Sequence, residues 1–338
     1  MNRKLKLFSI IIVLIVFTVG CGNVGDKNNK TDEETEGKLK VYASIYPMYD
    51  FADKIGGDKI DLNLVIPNGQ EPHDWEPSQD DIKKLENADV FIYNGAGLES
   101  WTDDVLSSVN NKDLAVVEAS DRIELIEGQH HHHEEHEEVE EHNHHHEEHE
   151  EAKEHNHHHE EEHEHGLDPH VWISPKNAII ELENIAKAFS EKDPGNAQYY
   201  NANLEKYKAE FEQLDKLYAE ELAKVPNRTI VVSHEAYGYL CHEYGLEQVG
   251  IEGVNAESEP DAKTMAQIIE FVREKGINTI FTEELIEPKV ADTIAAETGA
   301  KTVVLSPLEA LSEEEIEAKA DYVSIMKSNL EKLVEALK

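Results

Sequence analysis

Residues 129–165 read QHHHHEEHEEVEEHNHHHEEHEEAKEHNHHHEEEHEH, a run that no hydrophobic core can absorb. It offers one Val and one Ala for burial, so it must stand apart from any packed domain that flanks it. Sixteen of the chain's 20 histidines lie in it, mixed with fifteen glutamates. Neutral imidazole is the common protein ligand for zinc and its neighbours, and carboxylates help to hold the cation. The tract is internal, interrupted and acidic, unlike an expression tag, and it points to metal handling. Its candidate auxiliary metal ligands are His130, His131, His132, His133, His136, His142, His144, His145, His146, His149, His155, His157, His158, His159, His163 and His165.

The amino terminus reads as an export signal. Arg3, Lys4 and Lys6 precede an apolar run over residues 7–19, too short to span a bilayer as a mature helix. The run ends in Thr18-Val19-Gly20-Cys21, similar to a bacterial lipobox with Thr18 at the position usually held by Leu. Cys21 is thereby the expected lipidation site and the first residue of the mature chain. Residues 22–37 (GNVGDKNNKTDEETEG) lack apolar periodicity and read as a flexible tether. The second cysteine, Cys241, then has no disulfide partner, so the exported domains depend on their cores.

Net charge is −41, of which the tract supplies −14. Acidity on this scale excludes nucleic acid as a partner, because phosphates would repel the chain. Once signal, tether and tract are set aside, about 260 residues remain, enough for two domains with cores of their own.

Those residues alternate strand and helix. Residues 39–45, 60–66, 90–93 and 114–118 read as strands, with helices over 49–55 and 80–87, the second capped by Ser78. The rhythm returns with strands at 229–233, 249–250, 279–282 and 302–305. Helices are expected over 237–244, 263–275 and 289–298, with one or two more over 316–337. This spacing predicts an α/β fold of mainly parallel sheets flanked by helices. Between the halves, residues 197–225 lack Pro and Gly, and Leu204, Tyr207, Phe211, Leu214 and Leu217 recur at helical spacing. One long helix is expected there, spanning roughly 40 Å.

Only four histidines lie outside the tract: His73, His170, His234 and His242. The first three sit in EPHDWEPS, LDPHVWISP and directly after TIVVS, where chain passes from strand to loop or helix. Open α/β sheets place ligands beyond the carboxyl ends of strands. His242, within the next helical segment, reads as a surface or packing residue. Asp74, Glu76, Asp168 and Glu235 are near enough in sequence to orient an imidazole, and Trp75 and Trp172 could wall the site.

The segments EPHDWEPS, GLDPHVWISP, VVSHEAYGYL and LSPLEAL, in this order and with a histidine-rich acidic loop before the second, resemble the zinc-specific solute-binding lipoproteins of ABC transporters. YNGAGLESW and SEPDAKTMAQI look like further segments of that family, and the resemblance runs from about residue 39 to 338. It implies two α/β lobes joined by one long rigid helix, with metal in the cleft between them. The implied organisation is a signal peptide (1–21), tether (22–37), amino-terminal lobe (38–195, interrupted by the unpacked tract), linking helix (196–225) and carboxy-terminal lobe (226–338). The implied ligands are His73, His170, His234 and Glu309, with Glu283, Glu284 and Glu287 as acidic alternatives to the last. Three imidazoles and one carboxylate suit four-coordinate Zn²⁺, whereas manganese-binding relatives replace one His by carboxylate.

The resemblance further implies a non-enzymatic, monomeric binding protein. It would stand on the outer face of the cell membrane, held by its lipid, and pass zinc to an ABC permease, with the tract as auxiliary collector. Alternatives within the fold are a manganese or iron carrier or a surface adhesin. A zinc hydrolase is the rival class, but His234-Glu235 is followed by Gly238 where an H-E-x-x-H motif needs its second His.

Overall fold

The computed structural model describes residues 37–128, 166–254 and 260–338. The signal segment, Cys21, the tether and the tract with its sixteen histidines lie outside the described residues. Among the described residues no helix is long and apolar enough to cross a membrane.

The first half builds β1 (Leu39–Ala43), α1 (Tyr46–Gly56), β2 (Ile60–Leu64), α2 (Gln79–Glu86), β3 (Val90–Tyr93), α3 (Thr102–Ser108) and β4 (Ala115–Glu118). The strands form one sheet in the order β2-β1-β3-β4, and every pairing is parallel. A parallel sheet is covered on both faces, so its central strands must be apolar on both sides. Val41 and Ala43 in β1 and Val90, Phe91 and Ile92 in β3 are accordingly fully buried. At the edge, β4 leaves Val116 largely exposed. Ser78 caps α2 as expected: its hydroxyl accepts from the Asp81 N–H while the Asp81 carboxylate accepts from the Ser78 N–H.

Two helices follow, α4 (Pro175–Lys192) and α5 (Ala197–Leu222), which pack along one another. The sequence reading assigned no element to α4, yet Ala178, Leu182, Ile185 and Phe189 recur at helical spacing and are all buried. The 26 residues of α5 span about 39 Å. This is the expected long helix, ending three residues early at Leu222.

The second half repeats the first: β5 (Thr229–His234), α6 (Gly238–Tyr244), β6 (Glu247–Glu252), α7 (Ala262–Lys275), β7 (Thr279–Thr282), α8 (Lys289–Thr298), β8 (Lys301–Val304), α9 (Glu313–Ala318) and α10 (Tyr322–Ala336). Its sheet is again wholly parallel, in the order β6-β5-β7-β8. The strand expected at 249–250 extends over six residues because it pairs along most of β5.

Two hydrophobic cores result. The smaller lies between α7, α8 and one face of the second sheet, around Ile268, Val272, Val231, Ile280 and Ile294. The larger runs from the first sheet across α4 and α5 into α10. Its centre is an aromatic trio from three elements: Phe51 of α1 lies 5.6 Å from Phe211 of α5 and 5.0 Å from Tyr322 of α10, ring centre to ring centre, and Phe211 stacks on Tyr322 at 4.8 Å. The long helix is thus packed against both halves at once.

The ends of the tract meet. Glu127 and Leu167 form an antiparallel bridge, and the Gly166 carbonyl accepts from the Gly128 N–H at 3.0 Å. The described residues on either side of the tract, Gly128 and Gly166, are thus hydrogen-bonded neighbours, the second of them four residues before His170.

Candidate metal centre

Four donor side chains from both halves of the chain converge. His73 lies in the loop between β2 and α2, and His170 lies just before a 3₁₀ turn (Val171–Ile173) leading into α4. His234 is the last residue of β5, and Glu309 follows β8. Among the described residues these four form a group whose ligand atoms all lie within 4.8 Å of one another.

The geometry is closer than that limit. His170 Nε2 stands 3.2 Å from His73 Nε2, 3.2 Å from His234 Nε2 and 3.0 Å from Glu309 Oε1. Glu309 Oε1 is 3.5 Å from His73 Nε2 and 3.6 Å from His234 Nε2. Donors placed about 2.0–2.1 Å from a central zinc at tetrahedral angles are separated by about 3.3–3.4 Å. The five distances scatter around that value. The four side chains are also shielded from water, none more than 5% exposed.

Two of the three rings, those of His170 and His234, are aimed from behind. Asp168 Oδ1 accepts from both the His170 backbone N–H, at 2.9 Å, and ring Nδ1, at 2.8 Å. Glu283 Oε1 accepts from His234 Nδ1 at 2.5 Å. Donating Nδ1–H outward leaves the Nε2 lone pair directed into the cluster, the tautomer a metal requires. Of the four orienting groups proposed from sequence, Asp168 takes that role for His170. Glu283, read there as an alternative ligand, instead orients His234. Glu284 and Glu287 are outside the four-donor group, and Glu287 is exposed and paired with Lys289.

Glu309 reaches the site through a constrained turn. Leu308 is buried with φ +60°, a conformation unfavourable for a branched aliphatic residue unless its surroundings enforce it. They do so from several sides. Leu308 N–H donates to Ser306 Oγ at 3.3 Å, and Asn329 of α10 bonds both the N–H and the carbonyl of Ser306. Trp172 Nε1 donates to the Pro307 carbonyl at 2.8 Å, and Tyr322 OH donates to the Trp172 carbonyl at 2.7 Å. Trp172 therefore ties the segment of His170 to the segment of Glu309 and is fully buried. Trp75 packs on Trp101, ring centre to ring centre 5.1 Å. On the other side, Asn94 Nδ2 donates to the Pro169 carbonyl at 2.9 Å, fixing the residue before His170. His242 is exposed on α6, as expected of a surface residue.

Burial and charge pairing oppose each other in the cluster. Burial disfavours charge on either imidazole. For His170 the Asp168 and Glu309 carboxylates outweigh it, and for His234 Glu283 and Glu309 do, so both pKa values are raised. Burial also disfavours the Glu309 carboxylate, but His170, His234 and His73 together hold it well below the usual range. Glu71, which sequence reasoning did not single out, is raised by burial and by its proximity to Glu309. Nothing local in the sequence marks it; its position becomes apparent only beside a carboxylate from the other half of the chain.

Residues 41–336 match the family described as ZnuA, zinc-uptake complex component A, periplasmic. The chain is 39% identical over 337 residues to the high-affinity zinc uptake system protein ZnuA of Bacillus subtilis (strain 168), covering 100% of this chain and 99% of that protein. It is 41% identical over 300 residues to the zinc-binding protein AdcA of Streptococcus pyogenes serotype M3, covering 88% of this chain but only 56% of AdcA. The fold matches the crystal structure of the Zn(II)-bound ZnuA-like domain of Streptococcus pneumoniae AdcA with a TM-score of 0.71 and 31% identity, over 89% of this chain and 99% of that one.

Proposed function

The chain belongs to the ZnuA family of zinc-uptake solute-binding proteins, and from that membership we propose that it captures Zn²⁺ outside the membrane and yields it to an ABC permease. His73, His170, His234 and Glu309 are the ligands. The observation that carries this reading is the set of five donor–donor distances of 3.0–3.6 Å among buried side chains. Three imidazole nitrogens and one carboxylate oxygen suit zinc better than the harder manganese ion. Four protein donors close the coordination sphere, so the site holds its cargo without an open position for a reacting water. This supports a binding protein and not a hydrolase.

The organisation that serves this role is a lipid-anchored monomer. Residues 1–21 direct export, Cys21 carries the lipid, and residues 22–37 tether lobes at 38–195 and 226–338 joined by the long helix. Residues 129–165 act as a multi-site collector that raises the local zinc concentration near the cleft. The meeting of Gly128 and Gly166 at the base of the tract means that its removal leaves both ends already joined in space.

Competitive metal titration of the chain lacking residues 129–165 tests the reading. One tightly held zinc that outcompetes manganese, and that weakens in His234→Ala and Glu309→Ala, is the expected result. Absence of a tight site after the deletion would assign zinc binding to the tract and remove the cleft from consideration.

A further inference from the structure

The carboxylate behind His170 is itself seated by a residue with no side chain. Asp168 Oδ1 is occupied by the two His170 N–H groups. Its other oxygen, Oδ2, faces the Cα of Gly238, the first residue of α6 in the second lobe. A Cβ built on Gly238 would lie 2.2 Å from Asp168 Oδ2, 3.4 Å from Asp168 Cγ and 3.1 Å from Ile126 Cδ1. The next residue grips the same aspartate: Tyr239 OH donates to the Asp168 carbonyl at 2.8 Å. Asp168 is 1% exposed, so a carboxylate pushed from this position has no solvent to turn into, and turning it would disturb the Oδ1 bonds to His170.

Backbone conformation does not explain this glycine. Gly238 is absent from the residues with positive φ, and at the start of a helix alanine is the more favourable residue. The steric demand comes from Asp168 and the Ile126 side chain beside it.

We infer that Gly238 is a positioning residue of the metal site: its missing Cβ lets Asp168 sit where it fixes the His170 ring with Nε2 toward the other donors. The inference rests on the proposed ligand role of His170. It has a structural corollary. The group that aims a first-lobe ligand is seated by a second-lobe helix, so the affinity of the site depends on the register of the two lobes.

The test titrates the full chain with zinc against a competing chelator, reading the tightest equivalent, and repeats the titration with Co²⁺ while recording its visible d–d bands. His170→Ala should abolish the tight site; if it does not, the ligand reading fails before the present inference is reached. Gly238→Ala should lower zinc affinity by about 10–100-fold, the usual effect of disturbing a ligand's outer partner, and shift the cobalt bands. Asp168→Ala should lower affinity comparably, and Gly238→Ala in that background should change it by no more than about twofold, because the group it displaces is gone. Unchanged affinity in Gly238→Ala, or losses that multiply in the double variant, would overturn the inference. Should Gly238→Ala not fold alone, it is combined with Asp168→Ala, which removes the carboxylate that an added Cβ would meet at 2.2 Å. Recovered folding with the zinc affinity of Asp168→Ala supports the seat, and no recovery overturns it.

Discussion

His170 and Glu309 are separated by 139 positions in the chain and by 3.0 Å in the fold. No segment contains both, and the Trp172 indole bonded to the Pro307 carbonyl is what joins their backbones. The site therefore exists only when both halves are packed. Zinc held there should stabilise the whole fold, by about 4 kcal/mol at a free concentration a thousandfold above Kd. Thermal unfolding monitored with and without a chelator should differ by about 10 °C. Coincident melts would show that zinc is not bound at the packed site.

Glu283 supports His234 as Asp168 supports His170. Glu283→Gln keeps the shape but removes the charge that accepts from Nδ1 at 2.5 Å. Zinc affinity should fall about 10–100-fold with little change in the apo-protein's structure. Isothermal titration against a chelator measures the loss, and an affinity within twofold of the parent would deny Glu283 this role.

Protons compete with the metal because zinc takes neutral imidazole. In the metal-free fold burial lowers the pKa of His170 and His234, but the carboxylates around them prevail and raise both above 6.5. A raised histidine stabilises the metal-free fold fully below the unfolded value, and that contribution is lost as pH rises through the folded value. Zinc binding runs the opposite way. Affinity should be level at pH above both raised values and fall as pH drops through them, by up to about 100-fold per unit if two protons are displaced. Chelator competition at pH 8.5, 7.5 and 6.5 reads the curve; a flat profile over that range would contradict the raised values.

The aromatic trio makes a distinct stability prediction. Phe211 is fully buried between Phe51 and Tyr322, so Phe211→Ala opens a cavity where α1, α5 and α10 meet. Unfolding free energy should fall by about 3–5 kcal/mol. Denaturant titration checks it, and a loss under 1 kcal/mol would mean that the long helix is not clamped there.

Lys54 is buried between Asp50 of α1 and Asp321, the cap of α10, at 2.9 Å from each. Lys54→Met strands the buried Asp50 carboxylate, at a cost of about 3–5 kcal/mol near pH 7. Burial already pushes Asp50 up to about 6, against the opposing pull of Lys54. A raised carboxylate favours the fold at low pH and loses that contribution as pH rises through its folded value. The deficit of the variant should therefore shrink as pH is lowered toward 4. Denaturant midpoints at pH 4.5 and 7.5 decide it, and an equal deficit at both would be contrary to a stranded carboxylate.

Much of the fold was legible because its signals are local. Apolar runs such as VFIY at 90–93 and the capping pattern begun by Ser78 mark strands and helix starts within a few residues. α4 carried the same kind of signal in Ala178, Leu182, Ile185 and Phe189. The three histidines stood out because few lie outside the tract; His73 and His234 do follow strands, whereas His170 precedes a 3₁₀ turn.

The sequence by itself determined the parallel α/β rhythm, the long helix and three imidazoles set apart from the tract, all properties of short windows; His170, however, leads into a 3₁₀ turn and follows no strand. Tertiary structure alone decided which carboxylates serve which histidine. Glu283 and Glu309 lie in similarly acidic stretches, and no periodicity separates the one that orients His234 from the one whose Oε1 meets three Nε2 atoms. It also decided that Gly238 faces Asp168 and that Glu71 faces Glu309. Such choices are set by ångström-scale distances between segments far apart in the chain. Only the packing of two sheets against α4 and α5 fixes those distances.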